Sequence, residues 1–158
     1  MTHPIRSPHA CNAPRRRTLL RLCGVGVAGL LPAATAGQPR AEIVQPANPG
    51  PRAFMARAFE LRELAIRRGD QPYGAVVVRD GRIVGEAASA VVVANDPTAH
   101  AEMEAIRDAA RRLGTRDLSG CELYGTSRAC PMCEAAAYWA RIARMRYGEA
   151  ITEGGAPR

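Results

Sequence analysis

The chain has 158 residues, enough for one domain with a single core, and its formal net charge of +7 comes from 22 arginines, with no lysine, set against 15 acids. Five of those arginines and no acid fall in residues 1–36, which takes +7 down to +2 for residues 37–158 and leaves charge alone no case for a phosphate-backbone binder. The apolar run at 22–31 is about ten residues long, too short to span a bilayer.

Residues 1–36 read as an export signal. Arg16-Arg17-Thr18-Leu19-Leu20-Arg21 opens it, a Gly- and Ala-rich apolar run follows, and Ala34-Thr35-Ala36 gives a small-x-small cleavage pattern. The paired arginines resemble a twin-arginine signal, which implies export to a bacterial periplasm with no transmembrane anchor after cleavage. Cleavage would remove Cys11, Cys23, His3 and His9, leaving Cys121, Cys130, Cys133 and a single histidine, His100. Residues 37–51, with four prolines and two glycines, read as a linker, and 52–158 as the folded domain.

Within that domain Phe54, Ala58, Leu61 and Ala65 recur at helical spacing and predict a helix over 52–68. Two β-rich runs, 73–79 and 82–86, flank Asp80-Gly81, a pair that favours a tight hairpin turn. The apolar stretch 90–94 is expected to prolong the second strand or its exit. Asp96-Pro97 fits N-cap and first turn of a second helix, with Met103, Ile106, Ala110 and Leu113 as its stripe and Gly114 as its stop. A strand at 121–125, a helix from Cys130-Pro131 to about 143 and a strand at 145–148 complete the series. This order predicts an α/β fold, a three-layer α/β/α sandwich with a mixed sheet, whose strand-helix-strand units run parallel.

Two stretches carry chemistry: "HAE" at 100–102 and "CPMC" at 130–133. Two thiols three apart either hold a metal or close a redox-active disulfide. Each stretch opens a predicted helix, where free N–H groups stabilise a thiolate, the form that binds zinc. Glu102 lies on the apolar side of its helix, one turn before Ile106, and His100 lies about 60° from Met103. A carboxylate buried there is costly unless a nearby cation offsets the cost. The readings left open for these residues are a helix-capping acid, a core histidine, a structural thiol pair and one shared metal site.

The arrangement H-x-E, a strand, then C-x-x-C at the next helix start resembles the zinc-dependent cytidine-deaminase-like superfamily. "NDPTAHAEMEAIR", "CPMCEAAAYWARI" and "PYGAVVVRDG" look most like its guanine deaminase and tRNA-adenosine deaminase branch, over about residues 52–148. The resemblance implies one Zn²⁺ per chain, held by His100, Cys130 and Cys133, with water in the fourth position. It implies that Glu102 is no ligand but shuttles a proton from that water to the ring nitrogen and the leaving amine. Backbone groups near Ala101, the side chain at Ser89 and the ring of Tyr73 are the implied substrate contacts. Ser89 stands where the branch usually has Asn, Ala129 where it has Pro, Arg128 where it has Glu, and most members continue beyond the fourth strand.

The expected function is hydrolytic deamination of a free nucleobase or nucleoside, guanine-type first and adenine- or cytosine-type next. The alternatives are a zinc-binding member with altered chemistry and a CxxC thiol–disulfide oxidoreductase. A homodimer is expected, with Trp139 in core or subunit interface, and no tight tRNA binding.

Overall fold

The computed structural model describes residues 41–158, so the expected export signal and its cleavage point lie outside the described residues. The elements in chain order are α1 (Pro51–Arg67), β1 (Gly74–Arg79), β2 (Arg82–Ala88), α2 (Ala101–Leu113), β3 (Glu122–Gly125), α3 (Pro131–Trp139), β4 (Arg144–Tyr147) and β5 (Thr152–Gly155). The strands form one sheet in the order β2-β1-β3-β4-β5. β3 and β4 are parallel and the other neighbours antiparallel. β2 and β3 therefore point the same way with β1 between them, and each is followed by a helix.

β1 shows why the sheet is covered on both sides. Its run Ala75-Val76-Val77-Val78 is apolar throughout, and successive side chains alternate faces. Val76 and Val78 pack with Phe54, Met55, Ala58 and Leu61 of α1. Ala75 and Val77 pack with Ala101, Ala105 and Ala109 of α2 and Ala137 of α3. Burial of each valine contributes about 1.5–3 kcal/mol. The outcome is the expected mixed sheet between helical layers.

Local chemistry sets the joints. Asp80 and Gly81 take φ of 49° and 73°, the left-handed pair that a two-residue hairpin turn requires. β2 approaches α2 closely, because a Cβ at Gly85 would lie 2.5 Å from the Ala109 nitrogen and 2.6 Å from the Ala105 carbonyl oxygen. That closeness also rotates α2 relative to expectation. Its buried face is Ala101, Glu102, Ala105, Ile106, Asp108 and Ala109, whereas Met103, Ala110 and Leu113 sit at the margin.

Five further expectations are corrected. Residues 90–94 form turns, closed by Ala94 N–H to Ala90 O at 2.9 Å and Ala90 N–H to Ala99 O at 3.0 Å. Asp96 does not cap α2. It accepts the Thr98 N–H and hydroxyl, each at 2.7 Å, an Asx turn that competes with helix initiation. The N-cap is instead His100. α3 stops at Trp139, where Arg141 N–H bonds Tyr138 O at 2.9 Å and Ile142 N–H bonds Ala137 O at 3.0 Å, the bonds of a Schellman stop. A fifth strand, β5, follows β4 as an antiparallel neighbour. Finally, part of the expected linker is packed. Ile43 is buried with the α1 side of the core. Gln45 brackets Ile83 of edge strand β2, donating to its carbonyl at 2.8 Å and accepting its N–H at 2.9 Å.

No helix among the described residues is long and apolar enough to cross a membrane.

Candidate metal centre and active site

Topology gathers the chemistry at one end of the sheet. β2 and β3 end at the same edge, the usual place for ligands in open α/β sheets, and the connections after them lead to His100 and Cys130. Those two residues are the N-caps of α2 and α3. β1 runs the other way, so the residues just before it, Gln71 and Tyr73, arrive at the same edge. Pro131 at the first position of α3 fixes a helical φ and gives up an N–H the helix does not use. Cys133 follows one turn on and is fully buried.

The three candidate ligands converge. His100 Nδ1 lies 3.7 Å from each of Cys130 Sγ and Cys133 Sγ, and the two sulfurs are 3.6 Å apart. A tetrahedral zinc with Zn–S of about 2.3 Å and Zn–N of about 2.0 Å has S···S edges of about 3.8 Å and S···N edges of about 3.5 Å. The donor set and its spacing therefore fit Zn²⁺, and His100, Cys130 and Cys133 are positioned to bind it. Burial, and next the Glu102 carboxylate, push the Cys133 thiol well up. Met103 N–H opposes them by bonding the sulfur. A coordinated cation reverses that balance and holds the sulfur as thiolate.

Glu102 is only 7% exposed. Its Oε2 lies 3.8 Å from Cys133 Sγ, as acceptor from the thiol. Burial raises its carboxyl above the usual carboxylate range, against the pull of its own backbone N–H, His100 and Cys133. Glu102 thus stands beside the three-ligand set without belonging to it.

These groups open into a cavity of about 270 Å³ lined by Gln71, Tyr73, His100, Glu102, Ser127, Arg128 and Cys130. Tyr73 stands at its rim, 40% exposed. Of the other expected substrate contacts, Ala101, the first residue of α2, is buried in the core and does not line this cavity. Ser89 is also buried, and its hydroxyl donates to Asp70 Oδ1 at 2.7 Å. Sequence reasoning missed Asp70, Gln71 and Ser127. Only the short polar "GDQP" before a strand hinted at the first two. Cys121 is a buried core residue, as expected, away from the metal set.

Asp70 ties the rim together. Besides Ser89 it accepts the Gln71 N–H at 2.8 Å and the Val92 and Val93 N–H groups at 2.9 Å each. Desolvation raises its pKa, but these four hydrogen bonds outweigh it and hold the carboxyl below the ordinary value of 3.8. A depressed folded-state pKa contributes stability above the unfolded value and loses it as pH falls through the folded one. Asp70→Asn should therefore cost about 1–3 kcal/mol at pH 7, since either orientation of the amide points a donor at one or more backbone N–H groups. The difference from wild type should shrink below about pH 4. Denaturant titration at the two pH values checks it, and an equal gap at both would refute the linkage.

The family model for the cytidine and deoxycytidylate deaminase zinc-binding region matches residues 50–149. Guanine deaminase of Bacillus subtilis is 44% identical over 101 residues, 63% of this chain and 65% of the relative. A tRNA-specific adenosine deaminase of Aquifex aeolicus is 44% identical over 92 residues, 58% of this chain and 61% of the relative. The chain thus spans a little under two thirds of the length of both. The crystal structure of guanine deaminase from Bacillus subtilis superposes with a TM-score of 0.58 at 43% identity, over 61% of this chain and 65% of that one. A chain from structural studies of A-to-I editing by tRNA deaminases gives 0.58 at 42% identity, over 60% and 72%. With its ligand set, its sheet order and these likenesses in agreement, this chain belongs to the cytidine and deoxycytidylate deaminase zinc-binding family.

Proposed function

We propose that this chain is a zinc-dependent hydrolytic deaminase of a free nucleobase or nucleoside, guanine-type first and adenine- or cytosine-type next. One observation carries the reading: a buried carboxylate, Glu102, stands against the three-ligand set inside a cavity with an aromatic rim. Zinc, when bound, lowers the pKa of a coordinated water and so supplies a nucleophile at neutral pH. Glu102 is the side chain placed to accept a proton there and return it to a ring nitrogen and then to the departing amine. Tyr73 offers a ring face to a planar base. Ser89 and Asp70 hold the rim that carries Tyr73: Ser89 N–H bonds Tyr73 O at 2.9 Å.

Guanine deaminase among the relatives supports a free base, and the tRNA-specific relatives support a second reading, a tRNA adenosine. The charge of near +2 over residues 37–158 favours the small substrate. Ammonia release should be screened against purines, pyrimidines, their nucleosides and an anticodon stem-loop. Release from a base or nucleoside is the expected result. Release from the stem-loop alone would favour tRNA. Release from none, with zinc bound, would mark a zinc-binding member with altered chemistry.

The proposal includes export through the twin-arginine-like signal. Arg16→Lys with Arg17→Lys should hold the protein in the cytoplasm with its zinc. It also includes a homodimer through α3, whose outer face leaves Tyr138 and Trp139 exposed, the latter at 79%. Trp139 is the sole tryptophan. Its fluorescence should shift to the blue as concentration rises through the dimer constant, with sedimentation reporting the same midpoint. An emission maximum that stays at the solvated value across a proven dimer would place the interface elsewhere.

A further inference from the structure

We infer that the substrate of this site carries an oxyanion group, a phosphate or a carboxylate, held by Arg128 at the cavity mouth. The inference rests on the deaminase reading and moves its substrate class from the neutral base or nucleoside to an anionic derivative of one.

Arg128 lines the cavity that holds His100, Glu102 and Cys130, and its side chain is exposed. Seven of the 16 arginines among residues 41–158 are already engaged. Arg57, Arg62, Arg107, Arg112, Arg141, Arg144 and Arg146 each pair with a carboxylate. Arg128 makes no hydrogen bond and no ion pair among the described residues, and residues 1–40 contain no acid that could reach it. The only acid lining the same cavity is Glu102, which is buried against Cys133.

Nor is Arg128 on a long free loop. It lies two residues before Cys130, in a short connection pinned at the other end by Thr126 N–H to Gly74 O at 3.0 Å. Its backbone is therefore held at the mouth by the sheet on one side and a metal ligand on the other. A guanidinium presents a planar fork of donors that fits a carboxylate or phosphate in two parallel hydrogen bonds. A neutral base would leave that fork to water. A base bearing an oxyanion would present its amino-bearing carbon inward and its charge to Arg128.

The test uses the zinc-loaded full chain in the Glu102→Gln background, so that ligands are bound without turnover. Calorimetry compares matched pairs: guanosine with its 5′-phosphate, cytidine with its 5′-phosphate, and cytosine with 5-carboxycytosine. The anionic member of at least one pair should bind roughly three- to tenfold tighter, the scale of a partly exposed charge-assisted contact. Arg128→Gln should remove the preference and Arg128→Glu should reverse it, with zinc content and melting temperature showing that both variants fold. Which pair responds separates phosphate from carboxylate. Equal binding within every pair, or a preference untouched by Arg128→Glu, overturns the inference. The deaminase reading fails separately, if the chain with Glu102 intact releases ammonia from none of these compounds; the binding pattern then still decides the role of Arg128.

Discussion

Glutamine in place of Glu102 should leave zinc at one per chain and lower turnover by about 10²–10⁴-fold, the usual share of a positioned proton-transfer group. The substitution is close to isosteric, so the packing of a side chain only 7% exposed is kept. What is lost is the ability to take up a proton and hand it on. The position also predicts a stability effect of opposite sign. Burial disfavours the charged carboxylate, so a neutral amide should hold or raise the melting temperature. Zinc content, turnover on the best substrate from the ammonia screen, and melting temperature are the three measurements. Retained turnover would remove Glu102 from the mechanism. Lost zinc would make it a ligand rather than a proton carrier.

How far the site could be read in advance follows from where its residues sit. His100, Cys130 and Cys133 belong to two short motifs at helix starts, and helix starts are set by local chemistry: an extended residue, then Pro131 or a run of helix formers. Their convergence needed only two helices opening at one sheet edge, which the strand-helix-strand order provides. Glu102 was legible because its burial follows from α2's own period. The rim was not, since Asp70 acts on Ser89, Val92 and Val93, around 20 residues away, and no local pattern announces such partners. Misreadings of the fold have the same origin. Asp96 satisfied Thr98 rather than a helix, and the alanine face of α2 won burial because Gly85 lets strand and helix approach. β5 has the sequence Thr-Glu-Gly-Gly, in which only Thr152 favours a strand; it pairs because β4 offers an edge and because Arg146 and Arg144 reach Glu153 across the pair, the former at 3.1 Å.

Stripping zinc from this chain should cost stability and expose a latent disulfide. The sulfurs of Cys130 and Cys133 stand 3.6 Å apart as free thiols, too far for a bond of about 2.05 Å but close enough to form one with a modest rotation. The metal holds both as thiolates and engages the electron pairs that an oxidant would attack. It also joins α2 to α3 through residues 30 and 33 positions apart, a juxtaposition only the folded chain provides, so its binding free energy adds to folding. At free zinc about 1,000 times the dissociation constant that linkage is about 4 kcal/mol, a fall in melting temperature on the order of 10 °C or more for a domain of this size. Chelated protein should therefore melt earlier, take up a thiol reagent at Cys130, the less buried of the two, and lose that reactivity in mild oxidant as the pair closes. Cys133→Ser should abolish zinc binding and melt like the chelated protein with or without added metal. The same experiment separates the metal reading from a thiol–disulfide oxidoreductase. That enzyme would arrive without zinc, cycle its disulfide against a dithiol, and ignore His100→Ala. Here His100→Ala should release the metal, because it removes one of three ligands whose spacing already matches a tetrahedral ion. A chain purified without zinc, with Cys130 bonded to Cys133 and an unchanged melting temperature, would transfer the site to redox chemistry.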